Sequence, residues 1–453
     1  MDSAFAAAFL LVVVAACGLA HAAAPATTPS ADDALLARAR AIHHAAPLID
    51  GHNDLPWQLR TKGSSDLTKM DIRQPLPDFH TDIPRLRAGG VGAVFFAAYV
   101  PASFARQGIA ARTTIEQIDL IHRMVEHAPA DLELALTADD IERIHRSRKI
   151  AAMIGVEGGH SIENSLPLLR QLYALGARYM TLAYETTDWS DACPPAQPRH
   201  GGLAPFGIEV VREMNRLGML VDLSHVSDDT MRDAVAASDA PIIFSHSSAR
   251  ALAPDQSRDV PDDVLKMVHS NGGVVMVNFY SGFLLAEPAD RREKWTDARK
   301  RIDAQLPEEQ RRAEWRKWQR DNPMPRGDVG TVADHIDHIR KIAGIDHVGI
   351  GSDFDGVNMM PEGLEDVSCF PKLTAELLRR GYSDDDVKKV LGGNVLRVMR
   401  TAEEVAKQIQ KERPPSMATT QPATLLRDLR SADPRSSDPR SSDPPTSRPA
   451  AAR

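Results

Sequence analysis

Three apolar runs end in residues able to hold metal: Pro47-Leu48-Ile49-Asp50-Gly51-His52-Asn53-Asp54, Leu220-Val221-Asp222-Leu223-Ser224-His225 and Ile242-Ile243-Phe244-Ser245-His246. A fourth, Ile154-Gly155-Val156, ends in Glu157. A strand that terminates this way aims its last side chain at one end of a sheet. Alternation along an extended chain puts His52 and Asp54 on the same side. Imidazole and carboxylate together suit zinc and related divalent ions. Glu157 has two oxygens and can bridge two ions, with His225 and His246 completing the coordination of the second ion. Two ions about 3.5 Å apart share a water and lower its pKa towards neutrality. Asp353, in Gly351-Ser352-Asp353-Phe354-Asp355-Gly356, is placed to take and return that proton. Taken singly, each residue has an ordinary structural explanation. The argument is their common position at the ends of different strands.

The elements that must hold these groups are legible as short β-type runs at 46–51, 91–99, 151–156, 178–184, 219–224, 241–245, 273–279 and 347–352. Amphipathic helical patterns lie between most of them, at 115–126, 165–175, 206–217, 228–237 and 261–269. Strands alternating with helices predict a closed (β/α)8 TIM barrel, whose active site sits at the C-terminal strand ends. The Arg-, Glu- and Trp-rich stretch 281–329 reads as a helical insertion after the seventh strand, and 371–380 and 384–410 as closing helices. His160, His200, His335, His338 and His347 lack strand-end placement and read as structural or solvated.

The chain has 453 residues, is 43% hydrophobic and 26% charged, and carries a net charge of −8. It can bury a large core, and its acidity with only 5% aromatics excludes a nucleic-acid partner. An apolar run over 4–16 predicts an export signal within 1–22. Cys17 in Val14-Ala15-Ala16-Cys17 also fits a lipoprotein box, hence a lipid anchor. Both imply a periplasmic, secreted or membrane-anchored protein. The expected order is a flexible leader over 23–35, a barrel over 36–411 and a disordered Pro/Ser/Arg-rich tail over 412–453. In the mature chain Cys193 and Cys369 allow one disulfide, or two buried thiols.

These stretches resemble the membrane (renal) dipeptidase family of the amidohydrolase superfamily. The match also includes Ala204-Pro205-Phe206-Gly207, Arg258-Asp259-Val260-Pro261-Asp262-Asp263 and the run to Ser248 after His246, and extends over about 45–400. The resemblance implies a binuclear zinc hydrolase of dipeptides that accepts D-configured C-terminal residues and forms a homodimer. It assigns His52, Asp54 and Glu157 to one zinc and Glu157, His225 and His246 to the other. Arg258 would bind the substrate's terminal carboxylate, with Asp259 where the family has Asn. Asp353 would move the proton and contact the free amine.

One position departs from the family. A His that contacts substrate and the developing oxyanion after the fourth strand is replaced by Tyr184, in Thr181-Leu182-Ala183-Tyr184-Glu185. A phenol can donate to an oxyanion but cannot carry an imidazolium's charge. Tyr184 therefore keeps the role, shifts the substrate class or merely packs. A changed substrate (lactone, acyl-amino acid or phosphoester) and a non-catalytic binding protein are the alternatives.

Overall fold

Runs of aliphatic and β-branched residues form nine parallel strands: β1 Leu48–Asn53, β2 Val91–Tyr99, β3 Leu132–Leu134, β4 Ile150–Glu157, β5 Ala177–Thr181, β6 Leu220–Asp222, β7 Ile243–Phe244, β8 Val274–Val277 and β9 Val348–Ile350. This computed structural model describes residues 30–194, 198–286, 288–323 and 325–420. The expected signal segment with Cys17, and the tail beyond 420, lie outside the described residues. No described helix is long and apolar enough to cross a membrane.

Eight of the strands close a barrel. Neighbours pair in the order β1, β2, β4, β5, β6, β7, β8, β9, and β9 returns to β1 through Asp50 and Ile350. The β2–β4 seam is the longest, from Ala93 opposite Ala151 to Tyr99 opposite Glu157. These eight are the eight expected strands, so the (β/α)8 barrel holds. β3 was not expected. It is three residues long and pairs with the start of β4 at Leu132 and Ile150. Alternation along the strands splits the core in two. Ile49, Phe95, Met153, Tyr179, Ile243 and Met276 belong to one apolar cluster that also takes in Val395 and Met399 of the last helix. Their strand neighbours Leu48, Phe96, Ile154, Met180, Phe244 and Val275 pack with the outer helices in the other.

Several boundaries moved. β5 ends at Thr181, so Tyr184 lies beyond the strand that was expected to contain it. The first helix spans Ala31–Ala45, started by a Ser30–Asp33 capping box, and thus begins inside the segment read as leader. The expected helix 384–410 is two helices, Asp384–Lys388 and Asn394–Glu412, joined by a π-helical turn. The insertion after β8 is a hairpin of helices Ala289–Gln305 and Glu308–Asp321 around Ala298, Ile302 and Trp318. Cys193 and Cys369 are both buried and unbonded, so the optional disulfide is absent. His335 is structural: it accepts from the Ala249 amide at 3.0 Å and donates to the Leu284 carbonyl at 2.9 Å.

After the last helix the chain stays on the barrel's flank. The Ser416 amide and hydroxyl donate to Glu213 and Glu209 at 3.1 and 2.9 Å, and Arg170 holds the Ser416 carbonyl at 3.2 Å.

Candidate metal centre

The strand ends bring the expected ligands together. His52 is within the end of β1, Asp54 directly follows it, Glu157 ends β4, and His225, His246 and Asp353 stand two to three residues beyond β6, β7 and β9. His52 Nε2 lies 3.1 Å from Asp54 Oδ2 and 3.5 Å from Glu157 Oε2. Glu157 Oε1 is 3.0 Å from His225 Nε2 and 3.8 Å from His246 Nε2. The donor atoms of His52, Glu157 and His246 lie within 4.8 Å of one another, as do those of His52, Asp54 and Asp353.

The local backbone is bent to achieve this. His225, Asp353 and Asp355 have φ of 69°, 64° and 68°, a left-handed conformation that non-glycine residues adopt at a cost of order 1–3 kcal/mol. Gly356 makes the close approach feasible, since a Cβ there would stand 2.2 Å from Asp54 Oδ2 and 2.4 Å from Asp353 Oδ1. Gly155 does the same inside the barrel, where a Cβ would meet the Tyr179 ring at 2.0 Å. That ring supports His52: Tyr179 OH is 2.8 Å from His52 Nδ1.

Hydrogen bonding fixes the state of His246. The Ser245 hydroxyl donates to Asp222 at 2.6 Å, so its oxygen is free only to accept. His246 Nδ1, 2.7 Å away, must carry its proton towards Ser245. The Nε2 lone pair then faces His225 Nε2 at 2.9 Å and the Glu157 carboxylate. Burial, with Arg258 nearby, holds His225 down to about 4; burial and the neighbouring His52 hold His246 well below the usual imidazole range. Burial opposes charge on His52, yet Tyr179, Asp54 and Glu157 keep its pKa high. Burial also works against a charged Glu157, but His52 and His225 hold it well below the carboxylate range. Bare imidazole nitrogens and buried carboxylates facing one point are the donor set of a divalent-cation site, and the residues fit such ions.

Above the cluster is a cavity of about 330 Å³, lined by Trp57, Tyr99, Tyr184, Phe283 and Val357 beside the candidate ligands Asp54, Glu157 and His225 and the carboxylate of Asp353. Asn278 Nδ2 donates to Asp353 Oδ2 at 2.8 Å. Burial raises Asp353 to about 7; His52 opposes the rise and Asp54 adds to it. Tyr184 does reach the cavity. Its ring centroid is 4.7 Å from that of His225 and 5.1 Å, edge to face, from that of Tyr99. Burial pushes the Tyr184 phenol up to about 12, so it is a neutral donor. Arg258 does not line the cavity. It packs against the Phe283 ring at 5.5 Å, and donates to Ser247 Oγ at 2.5 Å and to the His246 carbonyl at 2.9 Å. Its Nε is buried with no partner.

Several residues in and around the cavity escaped the sequence reading, among them Trp57, Tyr99, Asn278, Phe283 and Val357. Tyr99 ends β2, Asn278 directly follows β8, and Phe283 lies in the turn beyond it. The strand-end rule that found the histidines would have flagged Tyr99 and Asn278.

The comparisons agree with this geometry. The family model for membrane dipeptidase, peptidase family M19, matches residues 36–413. Dipeptidase verJ of Clonostachys rogersoniana is 41% identical over 375 residues, covering 81% of this chain and 86% of its own. The probable dipeptidase PvdM from Pseudomonas aeruginosa superposes with a TM-score of 0.74 at 26% identity, over 82% of this chain and 99% of that one. A metallopeptidase from Rhodobacter sphaeroides, liganded with a phosphinate mimic of the dipeptide L-Ala-D-Ala, gives 0.64 at 25% identity, over 79% and 99%. Barrel, ligand-type cluster and relatives converge, and the chain belongs to the membrane dipeptidase family, peptidase family M19, as a metallodipeptidase.

Proposed function

We propose that this chain is an exported dizinc dipeptidase that accepts a D-configured C-terminal residue. The observation that carries this is the convergence of His52, Asp54, Glu157, His225 and His246 beneath a cavity of dipeptide size. His52, Asp54 and Glu157 would hold one ion; Glu157, His225 and His246 the other. Ions bound there supply Lewis acidity and a water of lowered pKa. Asn278 occupies one Asp353 oxygen and leaves the other to take the water's proton and pass it to the leaving amine. Tyr184 donates to the developing oxyanion. Arg258 anchors the substrate carboxylate once the Phe283 ring swings aside, and its unpartnered Nε supports this role. The D-preference is supported by the Rhodobacter relative's L-Ala-D-Ala mimic. Export and a homodimeric assembly belong to the same proposal.

The test joins metal analysis of the purified protein to a screen of dipeptides, esters and lactones. The expected result is two zinc ions per chain and cleavage of L-Xaa-D-Ala. A protein that holds metal but prefers lactones or esters would instead support a shifted substrate class, for which Tyr184 in place of the family His is the motive.

A further inference from the structure

A second cavity, of about 400 Å³, adjoins the substrate cavity and is formed by the insertion hairpin closing on the barrel mouth. Arg291, Arg316 and Arg320 line it from the hairpin, and Tyr280, Asn358 and Met359 from the barrel loops. Among the described residues, none that lines it is acidic. This is unusual in a chain of net charge −8. Arg316 and Arg320 are one turn apart on helix Glu308–Asp321, a like-charge spacing that weakens a helix slightly. Neither makes an ion pair with another described residue. Arg291 is steadied by the hairpin itself, donating to the Asn322 carbonyl at 3.0 Å and lying over the Trp318 ring at 5.1 Å.

The two cavities meet at shared structure. Phe283 lines the substrate cavity and Tyr280 the arginine cavity, and the two rings touch edge to face at 4.9 Å. Val357 lines the first, and Asn358 and Met359 the second. The Ser281 amide donates to the Met359 carbonyl at 3.0 Å, tying the two loops together. Arg258 lies against the same Phe283 ring, 5.5 Å from its centroid. The arginine cavity therefore lies at the end of the site where the substrate's C-terminal residue would be held.

We propose that Arg316 and Arg320 form an anion subsite for a carboxylate side chain on the C-terminal residue, favouring dipeptides that end in Glu or Asp. Planar guanidiniums pair with a carboxylate through parallel hydrogen bonds. The proposal rests on the dipeptidase reading above and adds a side-chain preference to it.

The experiment compares kcat/KM for L-Ala-D-Glu against L-Ala-D-Gln, and for the L,L pair, in the full-length enzyme and in the R316Q/R320Q variant. Wild type is expected to favour Glu over the uncharged isostere by about fivefold at low salt, the range of an exposed ion pair, and less at high salt. The variant is expected to lose that preference while its L-Ala-D-Ala turnover and melting temperature stay unchanged. Equal rates for Glu and Gln in wild type, or a preference that survives in the variant, overturn the subsite and leave the dipeptidase reading intact. If no dipeptide is cleaved, that reading fails instead, and calorimetric binding of D-glutamate against D-glutamine decides the subsite. A D-glutamate preference lost in R316Q/R320Q supports it, and equal binding overturns it.

Discussion

The two ends of the barrel solve opposite problems. At the N-terminal end, Ile49, Phe95, Met153 and Ile243 join Val395 and Met399 of the last helix in an apolar plug. At the C-terminal end the same strands bury three histidines and three carboxylates within a few ångströms, on backbone that includes two left-handed non-glycine residues among them. The plug stabilises the fold; the mouth spends part of that stability on holding reactive groups together. Loss at one end should therefore appear as stability, and at the other as turnover.

The largest separation is expected from Asp353→Asn. Removing the proton carrier should lower kcat by about 10²–10⁴, the usual range for a general acid–base group, with the melting temperature within a few degrees of wild type. Metal content and kcat measured on one preparation check this, and near-normal turnover would end the assignment. Phe95→Ala should do the reverse. It removes a fully buried ring from the plug and should cost about 3–5 kcal/mol of stability, read by denaturant melts. The folded fraction should keep its full metal content and per-site activity; a loss of metal would mean that the two ends are not separable.

The smallest effect concerns Asp259, which is fully buried. One of its oxygens accepts from the Ser248 amide at 3.1 Å, and the other has no partner. Burial raises it to about 8, against the pull of Arg258. In the unfolded chain it ionises near 4. Its neutral folded form thus contributes fully below about pH 4, and that contribution is lost as pH rises towards 8. Asp259→Asn should be more stable than wild type at pH 8, on the order of 1–2 kcal/mol, and the gain should shrink towards pH 4. A gain that does not vary with pH would mean that Asp259 is ionised throughout.

Most of the mouth was legible because its candidate ligands stand at the ends of apolar runs, and a barrel turns strand ends into a shared site. His52, Asp54, Glu157, His225 and His246 are all of that type. β3 was not legible because three residues carry no periodicity. Arg258 was legible as an anchor only by family likeness, and nothing in the sequence indicated that Phe283 would lie against it, since that contact joins distant segments. The free state of Cys193 and Cys369 likewise depends on where folding places them, which cysteine spacing alone does not reveal. The hairpin over 289–321 was read as helical from its composition, but its packing over the mouth is a tertiary fact.

Ser416 has a practical consequence. Because Glu209, Glu213 and Arg170 clasp the chain there, the described polypeptide leaves the molecule along its side, on outer helices. A purification handle or immobilising support joined behind that clasp would leave substrate entry unobstructed.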